Sequence, residues 1–114
     1  MAIQTGTERD ALAAEYAADA LYGALYTTSA GSSPGTEVTG GSPAYARKSL
    51  SWSDTGDGVQ TATATFDVPA GTTVVAAGVH TASSGGTYLD GGSVTSQAFS
   101  TQGQYTLTFT YTQT

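Results

Sequence analysis

Two segments of this chain alternate apolar residues with threonine, one residue at a time. Residues 59–68 read VQTATATFDV, and residues 104–112 read QYTLTFTYT. Successive side chains of a β-strand point to opposite faces, so a period of two predicts two strands that each bury one face. In the second segment the predicted inward-facing residues are Tyr105, Leu107, Phe109 and Tyr111.

Further strand-like segments follow one another at short spacing. Residues 45–53 place Lys48, Leu50 and Trp52 on one face. Residues 72–81 are apolar on both faces, which predicts a central strand, and residues 87–90 and 93–99 predict two shorter strands around a Gly-Gly pair. Short strands separated by turns favour a mainly β fold, an antiparallel β-sandwich or barrel of immunoglobulin-like or jelly-roll-like type.

The N-terminal quarter has a different character and predicts one helix over residues 7–23. It is rich in alanine, contains four of the nine acids and has no proline. Thr7 is the predicted N-cap, with Asp10 at the N3 position. A stripe of Ala14, Ala18, Leu21 and Leu25 predicts the face that packs on the sheets, and we expect Leu21 and Leu25 in the core.

The domain prediction is a single domain over residues 1–114. Residues 29–43, rich in Gly, Ser and Pro, predict a loop between the helix and a β-rich body at 44–114. Small residues in the predicted strands imply close packing against large ones. The small residues are Ala62, Ala64, Ala76, Ala77 and Gly78, and the expected fillers are Trp52, Phe66, Phe99, Leu107 and Phe109.

Composition excludes several classes of function. Charged residues make up 11% of the chain, and the net charge is −6 because only Arg9, Arg47 and Lys48 oppose nine acids. Three cations cannot neutralise a phosphate track, so we expect no nucleic-acid partner. No apolar run approaches the length of a membrane span, and no signal peptide is visible. The absence of cysteine excludes disulfides and Cys-ligated zinc.

The residues that could carry catalysis or hold a metal are few. His80 is the only histidine, and no Gly-x-Ser-x-Gly motif accompanies it. We therefore expect His80 to be a residue at a strand end beside a turn. The segment 54–58, DTGDG, resembles a calcium loop but lacks its Glu and Gly positions, so a turn is predicted. We expect no enzyme activity, no cofactor and no metal site.

Aromatic residues offer two alternatives to a purely internal role. Five tyrosines are candidates for a protein interface, or for the core: Tyr16, Tyr22, Tyr26, Tyr45 and Tyr88. A binding module for host-surface glycans is the other alternative, and substitution of Trp52 or Tyr88 would test it. The candidates for stacking on sugar are Tyr45, Trp52, Tyr88 and Tyr105. The acids of the helix predict a solvated face or a surface for a basic partner. The Thr-rich faces carry no charge that would prevent edge-to-edge association of strands, so we expect them to be docking surfaces within an assembly.

The order of these features resembles that of small structural proteins from tailed phages of actinobacteria, which are labelled tail-fibre-like, minor tail or minor capsid proteins. Such proteins commonly have an aromatic residue near the position of His80, and this chain departs from them there. The segments that carry the resemblance are the Ala-rich helix, residues 25–31, 37–42, 45–52, 66–74 and 78–89, and the Thr-rich last strand.

The resemblance implies a structural role in a virion, with the major capsid protein or tail proteins as partners. The predicted function is that of a capsid decoration protein on the major capsid lattice, present in many copies that associate with one another. The alternative is a minor tail protein that decorates the tail tube or belongs to the baseplate or fibre. Weak contacts repeated over a lattice suit such a role.

Overall fold

Seven strands form two antiparallel sheets in the computed structural model, which describes residues 4–114. One sheet has the order β2-β1-β5-β6, and the other has the order β3-β4-β7. A helix precedes them. The elements are α1 (Gly6–Asp19), β1 (Tyr22–Tyr26), β2 (Lys48–Ser49), β3 (Ser53–Gly56), β4 (Val59–Val68), β5 (Thr72–His80), β6 (Tyr88–Phe99) and β7 (Gly103–Thr112).

The two alternating segments become β4 and β7, and they pair with each other. Their antiparallel register runs without interruption from Val59 opposite Thr112 to Val68 opposite Gly103. The apolar faces point to the core and the threonines point outward, where Thr63 and Thr65 share hydrogen bonds with Thr108 and Thr106. The predicted mainly β sandwich with an N-terminal helix is confirmed.

Strand β5 is central in its sheet and is covered on both faces, as its sequence predicts. It lies between β1 and β6. Val74, Ala77 and Val79 belong to the core between the sheets. Ala76 packs on the opposite face in a small cluster with Ala24 and Tyr26.

Helix α1 begins and ends earlier than the pattern predicts. Its N-cap is Thr5 instead of Thr7, with the Thr5 hydroxyl accepting from the Glu8 amide at 3.3 Å. It ends at Asp19 instead of residue 23. The reason is tertiary, because the Leu21 amide donates to the His80 carbonyl and its own carbonyl accepts from Leu50. The backbone groups of Leu21 form these hydrogen bonds with other segments instead of continuing the helix.

The buried face of the helix also differs from the predicted stripe. Ala13 is fully buried, whereas Ala14 and Ala18 are exposed. The prediction that Leu25 belongs to the core is confirmed. The same prediction for Leu21 is wrong, since it is 44% exposed at the bend between α1 and β1.

Two strand boundaries were also predicted wrongly. Residues 45–53 do not form one strand; they supply β2 to one sheet and the start of β3 to the other. Residues 87–90 and 93–99 join in the single strand β6, which continues through Gly91 and Gly92. Two register shifts against β5 accommodate this irregular stretch.

Phe66 is the largest of the fully buried side chains in the core between the sheets. Its ring lies near Phe109 of β7 and Tyr45, with centroid separations of 6.3 and 6.4 Å. Gly23 of β1 faces both phenylalanines, and a Cβ atom there would lie 2.8 Å from the Phe109 ring. The two sheets therefore approach closely only because β1 has no side chain at this point.

The Phe66 position generates a stability prediction. Phe66→Ala should lower the free energy of unfolding by about 3–5 kcal/mol, since it removes a fully buried ring. Phe109→Ala should cost less, because Phe109 is only partly buried. Urea unfolding of both variants measures this, and a loss below about 1 kcal/mol for Phe66→Ala would contradict its core position.

Candidate interaction surface

The sandwich is open along the side where β6 and β7 lie. Each is the edge strand of its sheet, and none of residues 4–114 pairs with their outer edges. A cavity of about 260 Å³ and a wider groove of about 610 Å³ lie between them. The Tyr105 hydroxyl crosses the gap and donates to the Thr95 carbonyl at 2.9 Å. Leu107 lines both spaces, so apolar surface remains accessible there.

This open side contains almost no charge. All twelve charged residues lie within residues 1–90, and the segment 91–114 has neither a charged residue nor a histidine. Asp90 is the only charged residue in β6, and β7 has none. The sequence interpretation noted the Thr-rich faces but missed this asymmetry, although the printed sequence shows it directly.

The opposite side of the sandwich has the features that normally discourage strand addition. Its edge strands are β2, with two residues including Lys48, and β3, with four residues including Asp54. Short length and charge are the usual protections of a sheet edge. The contrast marks the β6/β7 side as the one suited to contact with another chain.

Tyr16, one of the five predicted interface residues, lies at the end of the cavity. Its ring stacks on Tyr111 with centroids 3.7 Å apart and meets Trp52 edge-on at 5.8 Å. Its hydroxyl donates to the Asp90 carboxylate at 3.5 Å. Burial and the charge of Asp90 raise the pKa of the Tyr16 phenol well above its usual value, so it stays neutral.

Tyr26 and Tyr88 lie on the outer face of the four-stranded sheet together with His80. Tyr26 is 1% exposed, and its hydroxyl shares a hydrogen bond of 2.5 Å with His80 Nε2. Tyr88 packs against both rings and donates to the Gly31 carbonyl. Burial and the charge of Arg47 hold the pKa of His80 below its usual value. His80 ends β5 beside a turn, which confirms its predicted location.

Tyr45 belongs to a polar clamp that the sequence interpretation did not find. Its hydroxyl accepts from the Leu25 amide and donates to Glu37 at 2.8 Å. Arg47 binds both oxygens of Glu37 at 3.0 Å and also donates to the carbonyls of Ala82 and Gly85. The clamp ties the long β1–β2 connection to the turn after β5.

Tyr22 begins β1 and is partly exposed, with Ser49 and His80 opposite it in the sheet. The five tyrosines are therefore not brought together in one patch. Trp52, a candidate for sugar stacking, donates its indole N–H to the Ala20 carbonyl at 2.7 Å and packs against the core. The interface role of the tyrosines stays a prediction.

The remaining candidate residues have structural positions. Asp57 and Gly58 form the turn between β3 and β4. The Gly58 amide donates to the Asp10 carboxylate, and Arg9 pairs with Asp57 at 3.5 Å, so the turn holds the start of α1. Among the described residues, no group of His, Asp or Glu side chains could hold a metal ion. The exposed acids Glu8, Glu15 and Asp19 leave the helix surface negative.

A family model described as Podophage GP4 fiber I protein gp80 matches residues 9–113. This range includes all seven strands and most of α1. The chain belongs to this family of phage fibre proteins. No curated protein and no solved structure matches it.

The fibre protein is thus a structural component of a phage virion, which confirms the predicted virion location. The match favours the tail or fibre alternative over the predicted capsid decoration role. No helix described between residues 4 and 114 is long and apolar enough to cross a membrane.

The clamp around Glu37 generates a prediction about pH. Burial acts to raise the pKa of Glu37, but hydrogen bonds from Arg47 and Tyr45 outweigh it and hold the pKa below its usual value. A carboxyl with a depressed folded-state pKa stabilises the fold above its unfolded pKa, and this contribution is lost as pH falls through the folded value. Stability should therefore decline below about pH 4.

Glu37→Gln should remove this part of the pH dependence and lower the free energy of unfolding at neutral pH by about 1–3 kcal/mol, since Arg47 loses its charged partner. Urea unfolding from neutral to acidic pH measures both effects. Glu15→Gln on the exposed helix surface is the control and should change neither. A pH profile of Glu37→Gln parallel to that of the unchanged protein would contradict the prediction.

Proposed function

We propose that this fibre protein is a non-enzymatic structural component of the tail or fibre apparatus of its phage. It is held in the virion by contacts with tail proteins and with further copies of itself. The observation that carries the proposal is the family match over residues 9–113, whose description names a fibre protein.

The geometry supports a role that depends on contact surfaces. The open side between β6 and β7 presents two long strand edges with little charge, where a neighbouring chain can add backbone hydrogen bonds. Net charge of −6 is concentrated elsewhere, including the outer surface of α1. A particle component with this distribution can meet neighbours along its neutral side and face solvent with its acidic surface.

The chemistry of the candidate residues supports a role without catalysis. His80, the only histidine, is 5% exposed and shares its Nε2 hydrogen bond with Tyr26. The Glu37 carboxylate is occupied by Arg47 and Tyr45. These groups stabilise the loops that cover the outer face of the four-stranded sheet.

Separation of phage heads from tails tests the proposal. The particles are disrupted and resolved on a density gradient, and the protein is quantified by mass spectrometry against the major capsid protein and a tail protein. We expect it in the tail fraction, in amounts far below those of the major capsid protein. A head fraction with amounts comparable to the major capsid protein would overturn the proposal in favour of capsid decoration.

A further inference from the structure

Among residues 4–114, the outer edge of β7 is the most regular unpaired strand edge. Its pairing with β4 covers ten residues without a register shift, whereas the pairing of β6 with β5 shifts twice. It contains no charged residue, no proline and no bulge along the β4 pairing. Charged residues, prolines and bulges are the features that natural proteins normally use to block strand addition at an edge, and the β7 edge has none of them.

We propose that two copies of this chain associate by antiparallel pairing of their β7 strands. The pairing would join the two three-stranded sheets into one continuous sheet across a two-fold axis. This pairing specifies one partner within the proposed fibre role, namely a second copy of the chain. Its occurrence in the virion rests on that proposed role. The interface is isologous, with the same strand on both sides.

The sequence of β7 is compatible with pairing to itself in one register. Residues paired across an antiparallel ladder point to the same face. A two-fold axis at Thr108 meets this condition, because it places threonines opposite threonines on the outer face. On the inner face it places Leu107 opposite Phe109 of the second copy, which extends the apolar layer over the open groove.

Charge favours a second copy over a different partner. Two molecules with a net charge of −6 repel each other at most surfaces, but the β7 edges meet without bringing carboxylates together. A basic partner would be attracted to the exposed acids of α1. The β7 edge has no charged side chain and would not attract such a partner. Copies of this chain can therefore associate through the neutral edge with the lowest electrostatic cost.

The size of the open side is sufficient for a dimer. A strand of ten residues is about 34 Å long, and the molecule is 23 Å across. A side of these dimensions covers about 800 Å², close to the area that each partner buries in a specific interface. The β6 edge lies on the same side and is included in this area.

A matched pair of substitutions tests the pairing. Thr108→Lys and Thr63→Lys break the same hydroxyl hydrogen bond of 3.0 Å on the same exposed sheet face. Only Thr108→Lys places two like charges opposite each other at the proposed interface. It should raise the dimer dissociation constant roughly tenfold or more, since like charges directly opposite each other on paired strands are destabilising, while Thr63→Lys should leave the dissociation constant nearly unchanged.

Sedimentation equilibrium of the purified chain, from low micromolar to near-millimolar concentration, measures the association. Circular dichroism verifies that the variants fold. If Thr108→Lys does not fold, Thr108→Glu and Thr63→Glu form a second matched pair, because only the change at residue 108 again places two like charges opposite each other. Hydrogen exchange of the unchanged protein should show protection of β7 amides that grows with protein concentration.

An unchanged protein that stays at 11.4 kDa at every concentration would overturn the pairing. Equal weakening of association by both substitutions of a pair would also overturn it, as would concentration-dependent protection confined to α1 or to residues 27–47. None of these results affects the head and tail fractionation, so failure of the pairing and failure of the fibre role are distinguishable.

Discussion

The packing of Phe66 against the opposite sheet is the contact on which the rest of the structure depends. The ring extends from the C-terminal part of β4 and lies near Gly23, where the missing side chain lets the sheets approach. Tyr45 and Phe109 flank it. Because a chain with 11% charged residues has few ion pairs to use, burial of such rings supplies the main driving force for folding.

The packing is uneven around the sandwich, and this unevenness connects the fold to the proposed function. On one side, α1 closes the structure through the turn at Asp57 and Gly58 and through Trp52, which donates to the helix end at Ala20. The long loop closes the outer face through the Glu37–Arg47 pair. On the β6/β7 side, Tyr16 closes one end through Asp90 and Tyr111, and the Tyr105 hydroxyl donates across the gap to the Thr95 carbonyl. The outer edges of both strands are unpaired among residues 4–114, and the proposed pairing uses the edge of β7.

The family match and the surface are consistent with each other. A fibre protein functions through contacts with other proteins, and the neutral side offers backbone groups and apolar side chains without requiring a charged partner. The five tyrosines are not gathered into one surface; Tyr26 and Tyr45 hold the chain's own loops. Aromatic character alone therefore did not distinguish contacts within the chain from contacts between chains.

The sequence by itself determined the strands that bury one face. The alternation in β4 and β7 is a local pattern, and it produces one apolar face whichever strands become the neighbours. It also determined the central position of β5, which is apolar on both faces, and the presence of a helix. Only the tertiary structure decided where that helix ends, because pairing of Leu21 with His80 and Leu50 competes with helical hydrogen bonds. The clamp between Glu37, Tyr45 and Arg47 and the open side between β6 and β7 likewise depend on which strands become neighbours, a long-range choice that no local pattern encodes.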